Sequence, residues 1–142
     1  MKIRLVVADD VAVVLRLEVL LLQDTCDIVA TASDGPSALE AIRKFKPDIA
    51  VLDLEMPGLS GIEVTRLAIE EQPRLGVIIC SIYNDRDLVQ WAKEAGVRGY
   101  VAKTDLFRNL PEAVKAGTSD GTFFHSTRGT AIMSVGVLHL LL

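Results

Sequence analysis

The sequence predicts an α/β fold, a doubly wound parallel sheet of five strands with helices on both faces, a (βα)5 sandwich. Two observations predict it. Short Val- and Ile-rich apolar runs alternate along the chain with segments whose apolar residues recur at helical spacing. Three of those runs are almost continuously hydrophobic, the pattern of strands buried on both faces. Strands that alternate with helices imply right-handed crossovers, and therefore parallel pairing.

The strands read in order as "IRLVVA" (3–8), "DIVATAS" (27–33), "DIAVLD" (48–53), "GVIICSI" (76–82) and "RGYVAK" (98–103). The first helix falls in "VAVVLRLEVLLLQD". Asp34 or Ser33, with Gly35 and Pro36, starts the second, whose Ala38, Ala41, Ile42 and Phe45 fall at i, i+3, i+4, i+7. Leu88, Trp91, Ala92 and Ala95 repeat that spacing in the fourth helix, and Leu110, Ala113 and Val114 begin it in the fifth. Pro47, Pro73 and Gly96 supply stops after the second, third and fourth helices.

A chain of 142 residues makes one domain with a real core. Its composition, 50% hydrophobic and 24% charged, is that of a soluble globular protein. The net charge of −4 argues against a nucleic-acid-binding surface, which wants clustered Lys and Arg. Cys26 and Cys80 lie far apart without metal-ligand spacing and read as reduced thiols of a cytoplasmic protein. "MKIRLVVADD" turns acidic too soon for a signal peptide. "AIMSVGVLHLLL" is shorter than the roughly 20 residues that cross a bilayer, so no membrane association is expected.

In open parallel sheets, sites form beyond the carboxyl ends of the strands. Those ends carry Asp9 and Asp10, Ser33 and Asp34, Asp53, Ser81 and Lys103. Each has a bland reading. Asp53 and the Asp9–Asp10 pair can simply cap elements, Lys103 can be a solvated charge, and Ser81 alone means almost nothing. Their joint placement is harder to obtain by chance. Adjacent strands lie about 4.8 Å apart, so the ends can converge. Clustered carboxylates repel one another unless a hard cation sits among them, and Mg²⁺ takes such oxygen ligands. A metal-bound aspartate is a competent nucleophile toward phosphorus, and phosphoryl transfer needs charge neutralisation that Lys103 and the Ser81 hydroxyl supply.

The segments "LVVADD", "DIAVLDLEMPGLSGIE", "IICSIYNDRD" and "AGVRGYVAKTD" resemble the receiver domain of bacterial two-component response regulators, over roughly residues 1–117. The wording "DLEMPGLSGIE" and "GYVAK" is most similar to the NarL/FixJ (LuxR-type) branch. The resemblance implies a flavodoxin-like strand order 2-1-3-4-5. It implies that Asp53 accepts phosphate from a sensor histidine kinase, with Lys103 contacting the acyl phosphate. Asp10, Asp53 and the backbone carbonyl of Glu55 would bind Mg²⁺, and Asp9 would act through water. Ser81 and Tyr100 would be the switch pair, and Glu55 and Tyr83 would tune phosphoryl lifetime. Such a domain is a phosphoacceptor rather than an enzyme.

Two regions depart from that pattern. The first helix carries only Arg16 and Glu18 before Gln23, and Leu15, Val19 and Leu22 read as a second, outward apolar stripe. A partner subunit or the chain's own tail would cover it, and the resemblance to the NarL-like branch, where dimers through the first and fifth helices are familiar, favours a homodimer. Gly117 reads as a break in the fifth helix. Residues 118–142 read as a linker-like tail, with "GTFFHSTRGT" similar to the linker that precedes a DNA-binding domain. No room for that domain follows, so no direct DNA binding is expected of the chain, which reads either as a stand-alone receiver or as a truncated form derived from a transcriptional regulator. His125 and His139 read as structural or surface residues.

Three alternatives compete. A haloacid-dehalogenase-type Mg²⁺-dependent phosphatase also uses a strand-end Asp, but its nucleophile comes first and its acidic pair last, the reverse of the order here. A non-catalytic flavodoxin-like binding module wants a Ser/Thr/Gly-rich phosphate loop after the first strand, where "DDVAVV" is opposite in charge. A receiver that has lost phosphorylation would lack some matched position, and all are present.

Overall fold

The computed structural model describes residues 2–118 and 121–124. The tail beyond residue 124, with His125 and His139, lies outside the described residues. The elements run β1 (Ile3–Ala8), α1 (Ala12–Leu22), β2 (Cys26–Ala32), α2 (Gly35–Phe45), β3 (Ile49–Asp53), α3 (Gly61–Glu71), β4 (Gly76–Ser81), α4 (Arg86–Ala95), β5 (Gly99–Ala102) and α5 (Leu106–Thr118), with a short 3-10 turn at Lys103–Asp105. The strands form one parallel sheet in the order β2-β1-β3-β4-β5. Fold class and strand order are those expected.

Every residue of β3 and β4 is buried, as their continuous apolar runs require. Val6, Leu52 and Ile79 face α2, α3 and α4, where Ile42, Ile62 and Ala92 meet them. Val7, Val51 and Ile78 face the other way, onto Leu22 of α1 and Leu110 and Val114 of α5. Helix starts are written in the sequence. Asp34 accepts from the Ser37 amide at 2.7 Å, Ser60 from Glu63 at 3.1 Å and Asp85 from Leu88 at 2.9 Å. Among the described residues no helix is long and apolar enough to cross a membrane.

Two readings are corrected. Gly117 does not break α5: it is buried within the helix, and its carbonyl accepts from the Arg98 guanidinium at 2.7 Å. Tertiary contact here overrides glycine's weak helix propensity. On α1, Leu22 has no exposed surface and Leu15 packs against the core, so neither forms an outward stripe; Val19 is half-buried. The exposed large apolar residues of α1 are Val13 (70%) and Leu20 (54%). The inward stripe instead includes Glu18, three residues after Leu15 and four before Leu22, and Glu18 is fully buried.

Candidate functional site

The chain leaves β1 with Asp9, whose amide donates to the Ala32 carbonyl at 3.1 Å. Its Oδ1 accepts from the Val11 amide at 2.9 Å, which turns the chain toward α1. Asp9 is fully buried, and Asp10 beside it is exposed. Asp53 is the last residue of β3 and only 5% exposed. Beyond it the Leu54 amide donates to Cys80 at 3.2 Å, and the Gly61 amide donates back to Leu54 at 2.8 Å. This folds the loop tightly onto the strand end. A Cβ on Gly61 would lie 2.3 Å from the Asp53 carbonyl oxygen, so only glycine admits this approach of α3.

Lys103 enters from the turn after β5. Its Nζ lies 2.9 Å from Asp9 Oδ2 and 3.2 Å from Asp53 Oδ2, with only 9% of its side chain exposed. The bland reading of Lys103 as a solvated charge is therefore wrong. Burial opposes its charge, but Asp53 and Asp9 outweigh that and raise its pKa. Asp53 itself is pushed up to about 7, first by burial and then by the Asp9 charge, against the pull of Lys103. Two carboxylates thus share one ammonium.

Asp9, Asp10 and Asp53 each offer an oxygen, and these atoms lie within 4.8 Å of one another. An all-oxygen donor set with excess negative charge and one exposed member fits a hard divalent cation. Glu55, whose carbonyl the resemblance implicates, follows two residues after Asp53 and is exposed. With Tyr83 it lines a cleft of about 590 Å³ beside the site, together with Leu54, Asp85 and Trp91.

Ser81 ends β4, is 1% exposed and accepts from the Tyr83 amide at 2.9 Å. Tyr100 is 4% exposed, and its hydroxyl donates to the Tyr83 carbonyl at 2.8 Å. Burial raises its pKa to about 12, which keeps the phenol a donor. All the strand-end residues named from sequence lie at the carboxyl edge of the sheet; Asp9, Asp10, Asp53 and Lys103 meet there, whereas Asp34 caps α2.

Sequence reasoning missed Glu18. Neither of its oxygens accepts a hydrogen bond from a donor among the described residues, and its polar neighbour is the Asp9 carboxylate. Burial, then the charge of Asp9, raises its pKa from 4.5 to about 9, so it is a neutral acid at pH 7. Its spacing from Leu15 and Leu22, at i+3 and i−4, is the signal in the sequence that places it on the inward stripe.

An open parallel sheet of this order, with an acidic pocket and a buried lysine at its carboxyl edge, has the layout of a signal-receiver domain. The chain belongs to the response regulator receiver domain family, whose model matches residues 5–115. It is 32% identical over 126 residues to the transcriptional regulatory protein DegU of Brevibacillus brevis, covering 87% of this chain and 53% of DegU. The chain thus spans about half the length of that relative. A LuxR-family two-component response regulator from Aurantimonas sp. SI85-9A1 superposes with a TM-score of 0.83 and 25% identity over 99% of both chains. The signal receiver domain of NarL from Mycobacterium tuberculosis superposes with a TM-score of 0.73 and 29% identity, over 80% of this chain and 97% of that domain. These are consistent with the NarL/FixJ branch. The haloacid-dehalogenase alternative finds no support among them.

Proposed function

We propose that Asp53 is the phosphoacceptor of a two-component phosphorelay. An Asp53 Oδ attacks the phosphorus of a sensor kinase's phosphohistidine. The new O–P bond forms as the P–N bond breaks, and the imidazole keeps the electron pair and takes up a proton. The observation that carries this reading is the buried Lys103 ammonium held between Asp53 and Asp9. It is placed to neutralise a phosphoryl oxygen on Asp53. Asp10, Asp53 and the Glu55 carbonyl would hold Mg²⁺, which supplies further charge neutralisation when bound. Asp9 has its oxygens engaged by Val11 and Lys103, which suits a role through water.

The Ser81 hydroxyl is the second donor to the phosphoryl group. Hydrogen bonds to a charged group are worth about 1.5–3 kcal/mol each. Two of them offer about 3–6 kcal/mol, against the roughly 5.5 kcal/mol that takes a two-state equilibrium from 1:99 to 99:1. Phosphorylation can therefore repopulate the Ser81–Tyr100 face, without much excess. The functional unit is residues 1–117, and transcription regulation is the output suggested by the relatives' names.

Incubation with Mg²⁺ and acetyl phosphate, read by intact mass, tests this. One base-labile phosphoryl group is expected, absent in EDTA and in Asp53→Ala. Persistence of the adduct in Asp53→Ala would overturn the assignment.

A homodimer through α1 and α5 is retained in the reading, but through exposed Val13 (70%) and Phe107 (72%) in place of Leu15 and Leu22. Val13→Glu is expected to shift the phosphorylated protein from dimer to monomer in size-exclusion chromatography. An unchanged elution volume would remove α1 from the interface.

A further inference from the structure

Three aromatic side chains stand out in solvent among the described residues: Phe107 (72%), Tyr83 (42%) and Trp91 (42%). Phe107 belongs to α5. Tyr83 and Trp91 line the same cleft of about 590 Å³, between the β3–α3 loop and the start of α4. Single exposed apolar residues are ordinary, but two aromatics that share one concavity mark a contact surface. Leu88 adds an aliphatic wall, and Glu55, Asp85 and Asp87 add carboxylates. Among the described residues no lysine or arginine lines the cleft. Asp85 is engaged by the Leu88 amide at the helix start, whereas Glu55 and Asp87 form no ion pair among the described residues. Trp91 already accepts one cation, the Arg66 guanidinium, 5.9 Å from its ring centroid. The indole remains partly in water with that contact in place.

Charge decides what such a cleft takes. Its carboxylates repel phosphate groups, which disfavours nucleic acid and anionic membrane surfaces. A cation suits it, and arginine more than lysine. A guanidinium is planar, less strongly hydrated than an ammonium, and can stack on an aromatic face while it donates to a carboxylate. Asp87 and Trp91 are four residues apart on α4, so they are neighbours on one face of the helix. One guanidinium can therefore lie on the indole and bond Asp87 together. Leu88 offers contact to an aliphatic neighbour, and Glu55 is available to a second cation. We propose that this cleft docks a segment of a partner protein that presents arginines between aliphatic residues, one arginine stacked on Trp91 and bonded to Asp87. Trp, Tyr and Arg carry most of the energy in protein interfaces and tend to pair across them, and the cleft supplies the first two. The inference does not rest on the chemistry of Asp53.

The test is a titration of the full chain with the peptide acetyl-Leu-Arg-Leu-Arg-Leu-amide, read by calorimetry and by tryptophan emission. Trp91 is the chain's only tryptophan, so its emission reports directly on the cleft. A saturable change in both signals is expected. The peptide with lysine at both arginine positions should bind about fivefold more weakly, and the peptide with glutamate there should not bind. By calorimetry, Trp91→Leu should weaken the arginine peptide about fivefold and Asp87→Lys about tenfold or more, with circular dichroism unchanged. Phe107→Ala, at the exposed aromatic outside the cleft, should leave the affinity as it is. Absence of saturable binding, equal binding of the glutamate peptide, or full affinity in both Trp91→Leu and Asp87→Lys would overturn the proposal. A change in Trp91 emission with protein concentration alone, lost in Asp87→Lys, would place a second copy of the chain in the cleft and overturn it as well.

Discussion

Replacing Glu18 with glutamine is expected to stabilise the fold, and to do so more at pH 8 than at pH 5. Glu18 is fully buried, with no donor to its oxygens among the described residues and the Asp9 carboxylate as its polar neighbour. Burial raises its pKa from 4.5 to about 9. Between those values the folded chain keeps a proton that the unfolded chain releases. The unfolded state then binds fewer protons, so stability falls as pH rises through that window. Below 4.5 both states are protonated and the penalty vanishes. At pH 7 the pKa gap corresponds to about 3 kcal/mol of destabilisation. Glutamine keeps the shape and the buried polar group but never ionises. The urea midpoint of Glu18→Gln, measured in EDTA, should exceed that of the parent by a margin that grows from pH 5 to pH 8. A pH-independent difference would show that Glu18 is not the buried neutral acid described.

Lys103→Met is expected to lose both stability and phosphoryl acceptance. The ammonium sits 2.9 Å from Asp9 and 3.2 Å from Asp53, largely out of water. Removing one partner of a buried ion pair typically costs about 3–5 kcal/mol, because the other charge is left uncompensated. Lys103 also holds the Asp53 pKa down, so its loss carries that carboxyl above about 7. A group with a raised folded pKa disfavours folding above its unfolded value. The deficit in the variant should therefore widen from pH 5 to pH 8. Labelling by acetyl phosphate should slow by roughly ten- to a hundredfold, the equivalent of one charge-assisted hydrogen bond. Equal labelling rates in parent and variant would remove Lys103 from the chemistry, whatever happened to stability.

Most of the fold was legible because its signals are local. β3 and β4 announced themselves by unbroken apolar runs, and α2 by Asp34 and Pro36 at its start. Alternation of strand and helix then left few topologies. The candidate site was legible for the same reason, since Asp9, Asp53, Ser81 and Lys103 sit where a parallel sheet gathers its strand ends. What failed depended on tertiary context. In α1 nearly every position is apolar, so the pattern could not fix which stripe faces the core, and Leu22 was assigned outward. Glu18 was hidden by the same ambiguity. Gly117 continues α5 because Arg98, from a distant loop, reaches its carbonyl. The pairing of Phe123 with the β5 edge joins distant segments, and the turn residues of 117–122 mark a change of direction without setting its register.

The most direct test of the central claim is to locate the phosphoryl group chemically. Protein labelled with acetyl phosphate and Mg²⁺ would be reduced with borohydride, which converts an aspartyl phosphate to homoserine, and then mapped by peptide mass spectrometry. Homoserine at residue 53 alone is the expected result. Homoserine at residue 9 or 10, or a phosphoryl group retained elsewhere after reduction, would contradict the account.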